Sequence, residues 1–235
     1  MTNSNSNKPS IVLVHGAFSD GSSWKKIIPT FADEGFTVTA VQNPLRSLAE
    51  DVATTKRVIE AQKGDVILVG HSYGGSVITD AAAGSDKVKA LVFVAAFAPD
   101  AGETVGALLG KFPAAALGTA LAPDSASFLY IERTKFHHVF AEDVPERETS
   151  VMAATQKPIA AGAFGEATLS AAWKTVPSWY AVTTLDHAVN PELQRFMAKR
   201  IGAQTTEIKA SHVPFLSRPE EISKIIKAAI AQIQN

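Results

Sequence analysis

The apolar run Val66-Ile67-Leu68-Val69 ends in Gly70-His71-Ser72-Tyr73-Gly74-Gly75. A continuous apolar run of this length reads as a strand buried on both faces. Gly75-Ser76-Val77-Ile78-Thr79-Asp80-Ala81-Ala82-Ala83, closed by Gly84, reads as the helix that follows. A strand that passes through G-x-S-x-G into a helix is a nucleophile elbow, whose sharp turn pushes the serine hydroxyl out of the sheet. The glycines around Ser72 omit side chains that would collide with neighbouring backbone. G-x-S-x-G by itself is common; the strand before it and the helix after it give it weight. With Ser72 as nucleophile, the chain must also supply a base, an acid and an oxyanion hole.

Strand-length apolar runs alternate with helical patterns along the chain, the signature of a parallel α/β sheet with helices on both faces. Ser10–Val14 is the first strand, closed by His15-Gly16. A helix is expected from Ser22 to Glu34 with Gly35 as its cap, then a strand over Phe36–Val41. A helix over Ser47–Gln62 carries Leu48, Val52, Thr55 and Ile59 on one side. Val88–Ala95, Ser178–Thr183 and Thr205–Lys209 complete a sheet of about six strands. Pro191–Ile201 reads as a helix with proline at its start, and Pro219–Ile233, opened by Ser217, as an amphipathic helix that buries Ile222, Ile225, Ile226 and Ile230. The stretch 99–176 lacks a parallel-strand pattern and is too long to be structureless. It is expected to form a mostly helical cap over the C-terminal edge of the sheet, where open α/β sheets place ligands. The domain reading is therefore a disordered tail over 1–9, a core formed by 10–98 and 177–235, and a cap insertion over 99–176.

Composition narrows the classes. The chain has 235 residues, is 46% hydrophobic and carries a net charge of −1, which suits one domain with an insertion and provides no basic stripe for nucleic acid. It has no cysteine, which excludes disulfides, thiolate nucleophiles and cysteine-ligated zinc. The polar start, Met1 to Lys8, lacks the apolar centre of a signal peptide, and no segment is long enough to span a bilayer. A cytoplasmic protein without membrane association is expected, with export through a removed leader as the alternative. The oligomeric state is open, a homodimer included.

Among six histidines, His212 lies just past the last strand and before the last helix, so its loop reaches the same sheet edge as Ser72. His15 sits in a tight turn, His71 should point away from the nucleophile, His137 and His138 fall in the cap, and His187 should face elsewhere. Imidazole titrates near neutrality and can take and return the serine proton. An acid must hold its tautomer. Asp186, after the fifth strand, is the first candidate, and Asp100, after the fourth, is the rival. The oxyanion donors are expected to be the N–H of Tyr73 and that of Ala17, in the loop after the first strand. Phe18, Tyr73, Trp24 and Phe97 are candidates for the pocket wall.

These residues resemble the α/β-hydrolase superfamily, in particular its compact branch of plant methyl esterases, hydroxynitrile lyases and small bacterial esterases. The resemblance rests on Ile11 to Trp24 (IVLVHGAFSDGSSW), Val66 to Gly75 (VILVGHSYGG), the acid loop at Thr183 to Glu192, and Ser211-His212. It implies an α/β-hydrolase fold, a Ser72–Asp186–His212 triad, Ala17 and Tyr73 as oxyanion donors, and no cofactor or metal. The branch commonly has a proline five residues after the acid, as Pro191 follows Asp186, which favours Asp186 over Asp100. Its lyases carry a lysine after the histidine and a threonine three residues before the HG histidine. Here Val213 and Val12 stand in those places, so the lyase reading falls. The expected function is hydrolysis of a small to medium carboxylic ester through an acyl-enzyme. The same scaffold also supports cofactor-free perhydrolases of the haloperoxidase type, C–C bond hydrolases, cofactor-free oxygenases and triad-retaining ligand receptors.

Overall fold

The computed structural model describes residues 8–234. Most of the predicted disordered tail, 1–9, lies outside the described residues. Of its last two residues, Lys8 donates to the Glu34 carbonyl and Pro9 is buried.

The elements in chain order are β1 (Ser10–Val14), α1 (Ile28–Ala32), β2 (Val38–Val41), α2 (Leu48–Ala61), β3 (Val66–His71), α3 (Gly74–Ala81) and β4 (Val88–Val94). An insertion follows with α4 (Val105–Leu109), β5 (Leu121–Pro123), β6 (Phe128–Ile131), α5 (Arg133–Phe140), α6 (Glu146–Thr155) and β7 (Ile159–Ala160). The chain then returns through β8 (Ser178–Thr183), α7 (Pro191–Arg200), β9 (Gln204–Ile208), α8 (Pro214–Ser217) and α9 (Pro219–Ile233).

The main sheet has six parallel strands in the order β2-β1-β3-β4-β8-β9. Every residue of β1, β3 and β8 is buried, which requires cover on both faces. α2 and α3 pack on each other and against β1, and α9 packs against β3, β4 and β8. The order runs outward from β1 to β2 on one side and from β3 onward on the other. The C-terminal ends of β1 and β3 therefore flank a topological switch point, where a crevice opens. Ser72 directly follows β3, and His15-Gly16 directly follow β1.

The six core strands and the helices over 48–61, 191–200 and 219–233 appear where the pattern places them, to within a few residues at their ends. Two expected helix starts move, each because of proline. The helix expected from Ser22 is instead a 3₁₀ turn, Gly21–Trp24, capped by Asp20; Pro29, which has no N–H to continue an earlier helix, sits in the first turn of α1. Ser217 does not open the last helix. It ends α8, and Pro214 and Pro219 each seed a helix of their own.

The insertion is less helical than expected. It also contains an antiparallel sheet, β5-β6-β7, built on the aromatic and β-branched run Phe128-Leu129-Tyr130-Ile131. The Asp124 carboxylate, accepting from the N–H groups of Ala126 and Phe128, makes the turn between β5 and β6.

Candidate active site

The elbow is held by close backbone approach. Ser72 has φ = 53°, a left-handed conformation that a residue with a side chain adopts only at a cost. Its N–H donates to the Val94 carbonyl at 3.1 Å, and its carbonyl accepts from Gly75 and Phe97 at 2.9 and 3.0 Å. A Cβ on Gly70 would lie 2.7 Å from the Gly74 carbonyl oxygen, and one on Gly74 would lie 2.6 Å from that of Val14. A Cβ on Gly75 would strike the Phe97 carbonyl oxygen. A Cβ on Gly16 would meet the Ser72 Cβ at 2.8 Å, so glycine there lets the loop after β1 lie directly against the serine.

His212 and Asp186 meet although 26 residues separate them, with Nδ1 2.7 Å from Oδ2. Their side chains are 1% and 0% exposed, so water does not compete for this contact. The carboxylate is fully engaged. Oδ1 accepts from the N–H groups of Ala188 and Val189 at 2.7 and 2.9 Å, and Oδ2 also accepts from Thr183 Oγ1 and Gln194 Nε2, each at 2.8 Å. The Thr183 N–H donates to Gln194 Oε1, which fixes that amide so that its nitrogen faces Asp186. The carboxylate can only accept, so His212 Nδ1 carries the proton and Nε2 is left as the acceptor. The rival Asp100 lies at the surface, paired with Lys174 Nζ at 2.5 Å.

Ser72 and His212 open on one cavity whose empty space, including its open mouth, is about 830 Å³. Its floor includes Ala17, Phe18 and Phe97, and the insertion supplies Leu109, Leu117, Leu121, Phe140 and Phe164. Among the described residues, no turn, loop or cap hydrogen bond uses the N–H of Ala17 or of Tyr73.

Phe18 and Phe97 line this cavity, and Trp24 does not. It is fully buried, packs at a tilt of 38° on Phe215 with centroids 4.5 Å apart and meets the His71 ring edge-on. The 3₁₀ turn at Gly21–Trp24 turns the indole inward beneath α8. The Tyr73 side chain is also absent from the wall. It is buried, with its hydroxyl donating to Asp51 Oδ2 at 2.8 Å.

Several contributing residues escape the sequence reading. His71 donates from Nε2 to the His212 carbonyl at 2.8 Å and holds that loop from behind. Gln194 and Asp51 are buried, each on the apolar face of its helix. A polar residue at a helical position otherwise filled by Leu193 and Met197, or by Leu48, Val52 and Thr55, is the signal that would have found them. His137 and His138 lie in α5, and His187 faces Glu142 rather than the cavity.

Burial also sets the protonation of these groups. It lowers the His15 pKa to about 4 and that of His71 well below the ordinary value, and it raises that of Asp51 to about 6. The lowered histidines contribute stability that is complete above about pH 6.5 and lost as the pH falls. For His15 alone the loss is about 3 kcal/mol by pH 4, at ~1.4 kcal/mol per unit. Asp51 acts in the opposite sense: its contribution is present below its ordinary value of 3.8 and lost as the pH rises through about 6. Urea unfolding is therefore expected to give a lower free energy at pH 5 than at pH 7. Asp51→Asn, which removes the opposing titration, should steepen that fall; a stability that rises on acidification contradicts this balance.

An α/β sheet with a serine elbow at its switch point, a buried Asp–His pair at the same edge and an apolar cavity above them is the architecture of the α/β hydrolases. The family model described as "Alpha/beta hydrolase family" matches residues 11–225, and the chain belongs to that family. Curated relatives include Methylesterase 17 of Arabidopsis thaliana, 29% identical over 95% of this chain and 92% of that protein. Another is the carbendazim-hydrolyzing esterase of Nocardioides sp. strain SG-4G, 27% identical over 92% and 98%. Among solved structures, a pyrethroid hydrolase from Sphingobium faniae JZ-2 shares the fold, with a TM-score of 0.82 at 20% identity over 95% of this chain and 97% of that one. No helix among the described residues is long and apolar enough to cross a membrane.

Proposed function

We propose that this chain is a serine carboxylic-ester hydrolase acting through an acyl-enzyme. The observation that carries this reading is the buried Asp186–His212 pair, whose histidine shares one apolar cavity with a serine strained on an elbow. His212 Nε2 takes the proton from Ser72 Oγ as the oxygen bonds to the ester carbonyl carbon. The Ala17 and Tyr73 N–H groups, free of turn and cap bonds, stabilise the oxyanion. Asp186 holds the imidazole tautomer and stabilises the imidazolium. The proton then passes to the departing alcohol, and a water activated by His212 releases the acid.

The wall argues for an apolar or aromatic substrate part, because it is almost entirely aliphatic and aromatic, with Asn190 as a polar exception beside Ser72 and His212. The relatives named as esterases support ester cleavage as the reaction. A series of 4-nitrophenyl esters with purified protein tests this. kcat/KM is expected to rise by up to about fourfold per acyl methylene, the equivalent of ~0.8 kcal/mol, until the cavity is filled. Turnover should need no peroxide. Absence of turnover across the series, together with ligand-dependent gain in Tm, would transfer the site to a binding role.

A further inference from the structure

Outside the cavity, His138 on α5, Glu142 just past its end and His187 in the acid loop bring their donor atoms within 4.8 Å of one another. Glu142 Oε1 lies 3.2 Å from His138 Nδ1, and its Oε2 lies 3.1 Å from His187 Nε2. The two imidazoles face each other with centroids 4.7 Å apart and planes at 33°. Side-chain exposures of 60%, 48% and 40% leave the cluster open to solvent.

From this geometry we propose that His138, Glu142 and His187 bind a divalent transition metal, zinc first among them, which ties the insertion to the loop carrying Asp186. Zinc bonds of ~2.0–2.1 Å in a tetrahedron set neighbouring donors about 3.3 Å apart. The contacts of His138 with Oε1 and of His187 with Oε2 stand near that spacing, and one donor atom from each of the three residues falls within 4.8 Å of the others, so small side-chain rotations would bring all three onto one ion. Two nitrogens and one carboxylate suit zinc, copper or nickel, whereas magnesium and calcium require oxygen. Three protein ligands leave a position for water, and solvent exposure gives the ion a path in.

The position gives the site a consequence. His187 directly follows Asp186, and its carbonyl accepts from the Leu117 N–H of the cavity wall at 2.9 Å. Asp143, next to Glu142, accepts from the N–H of Ser211 at 3.1 Å and from its hydroxyl, one residue before His212. An ion at Glu142 therefore bears on the loops of both His212 and Asp186.

Zinc titrated against a chromophoric chelator into EDTA-stripped protein is expected to show one bound ion per chain and a rise in Tm, with no response to magnesium. His138→Ala and His187→Ala should each weaken zinc binding by more than about tenfold, the least that losing even an outer partner of a metal ligand costs, and abolish the rise in Tm. Glu142→Gln should do the same without removing a ring. Zinc uptake that is equal in all variants, or undetectable in the parent, overturns the proposal. A lower metal-free Tm in the variants with unchanged zinc uptake would make the cluster a surface ion pair, and would also overturn it.

Discussion

Ser72→Ala is expected to lower kcat for a 4-nitrophenyl ester by at least about 10⁴-fold while leaving the fold intact. Removing the nucleophile of a serine hydrolase costs this much because the remaining machinery acts as a unit and has nothing left to activate. The residual rate reflects oxyanion stabilisation and binding alone. Stability separates the chemistry from the architecture. The positive φ at residue 72 is imposed by the Val94, Gly75 and Phe97 hydrogen bonds, and alanine inherits that cost as fully as serine does. The Tm of the alanine variant should therefore stay near that of the parent. Ser72→Gly, equally inactive, should gain up to about 1 kcal/mol, or roughly 2–4 °C in a domain of this size. Retained turnover in a clean alanine preparation would remove Ser72 from the mechanism. A glycine variant less stable than the alanine one would contradict the strain.

Asp186→Asn is expected to damage activity and stability together. Both carboxylate oxygens face donors: Ala188 and Val189 N–H on one side, and His212 Nδ1, Thr183 Oγ1 and Gln194 Nε2 on the other. An asparagine amide would turn its own N–H groups toward one of these sets in either orientation. Buried donors left unpaired cost about 1–3 kcal/mol each, so a loss of several kcal/mol is expected in urea unfolding. kcat should fall by about 10⁴-fold, because the imidazole loses the partner that selects its tautomer. A variant with near-parental kcat would show that His212 is oriented by something else. Asp100→Asn is the matched control: that side chain pairs with Lys174 at the surface, and its loss should leave kcat unchanged.

The core was legible because its strands are short apolar runs and its helices carry apolar stripes, both local signals. Ile222, Ile225, Ile226 and Ile230 fall on the buried face of α9 as their spacing demands. The elbow was legible because close approach leaves glycine as the residue that fits at 70, 74 and 75. Two kinds of feature were not. Short antiparallel strands such as β6 have too few residues for a period to emerge, so the insertion read as more helical than it is. Trp24 read as a pocket residue because its nearness in sequence to the loop after β1 says nothing about which way a 3₁₀ turn faces it. Gln194 supports Asp186 from α7, and Asp51 holds the Tyr73 hydroxyl from α2; such contacts across elements leave only a polar residue out of place on an apolar face.

The insertion enters after β4, whereas Ser72, Asp186 and His212 follow β3, β8 and β9. On the proposed function, this segment could be exchanged, and with it the wall of the cavity, without altering the strands that carry those three residues. Asp143 on Ser211 and Glu142 on His187 qualify that freedom, because they belong to the exchangeable part yet grip loops of the permanent part. A foreign segment grafted here would have to bring equivalent grips, and a library that randomises 99–176 but keeps residues 142 and 143 should yield more active members than one that randomises them as well.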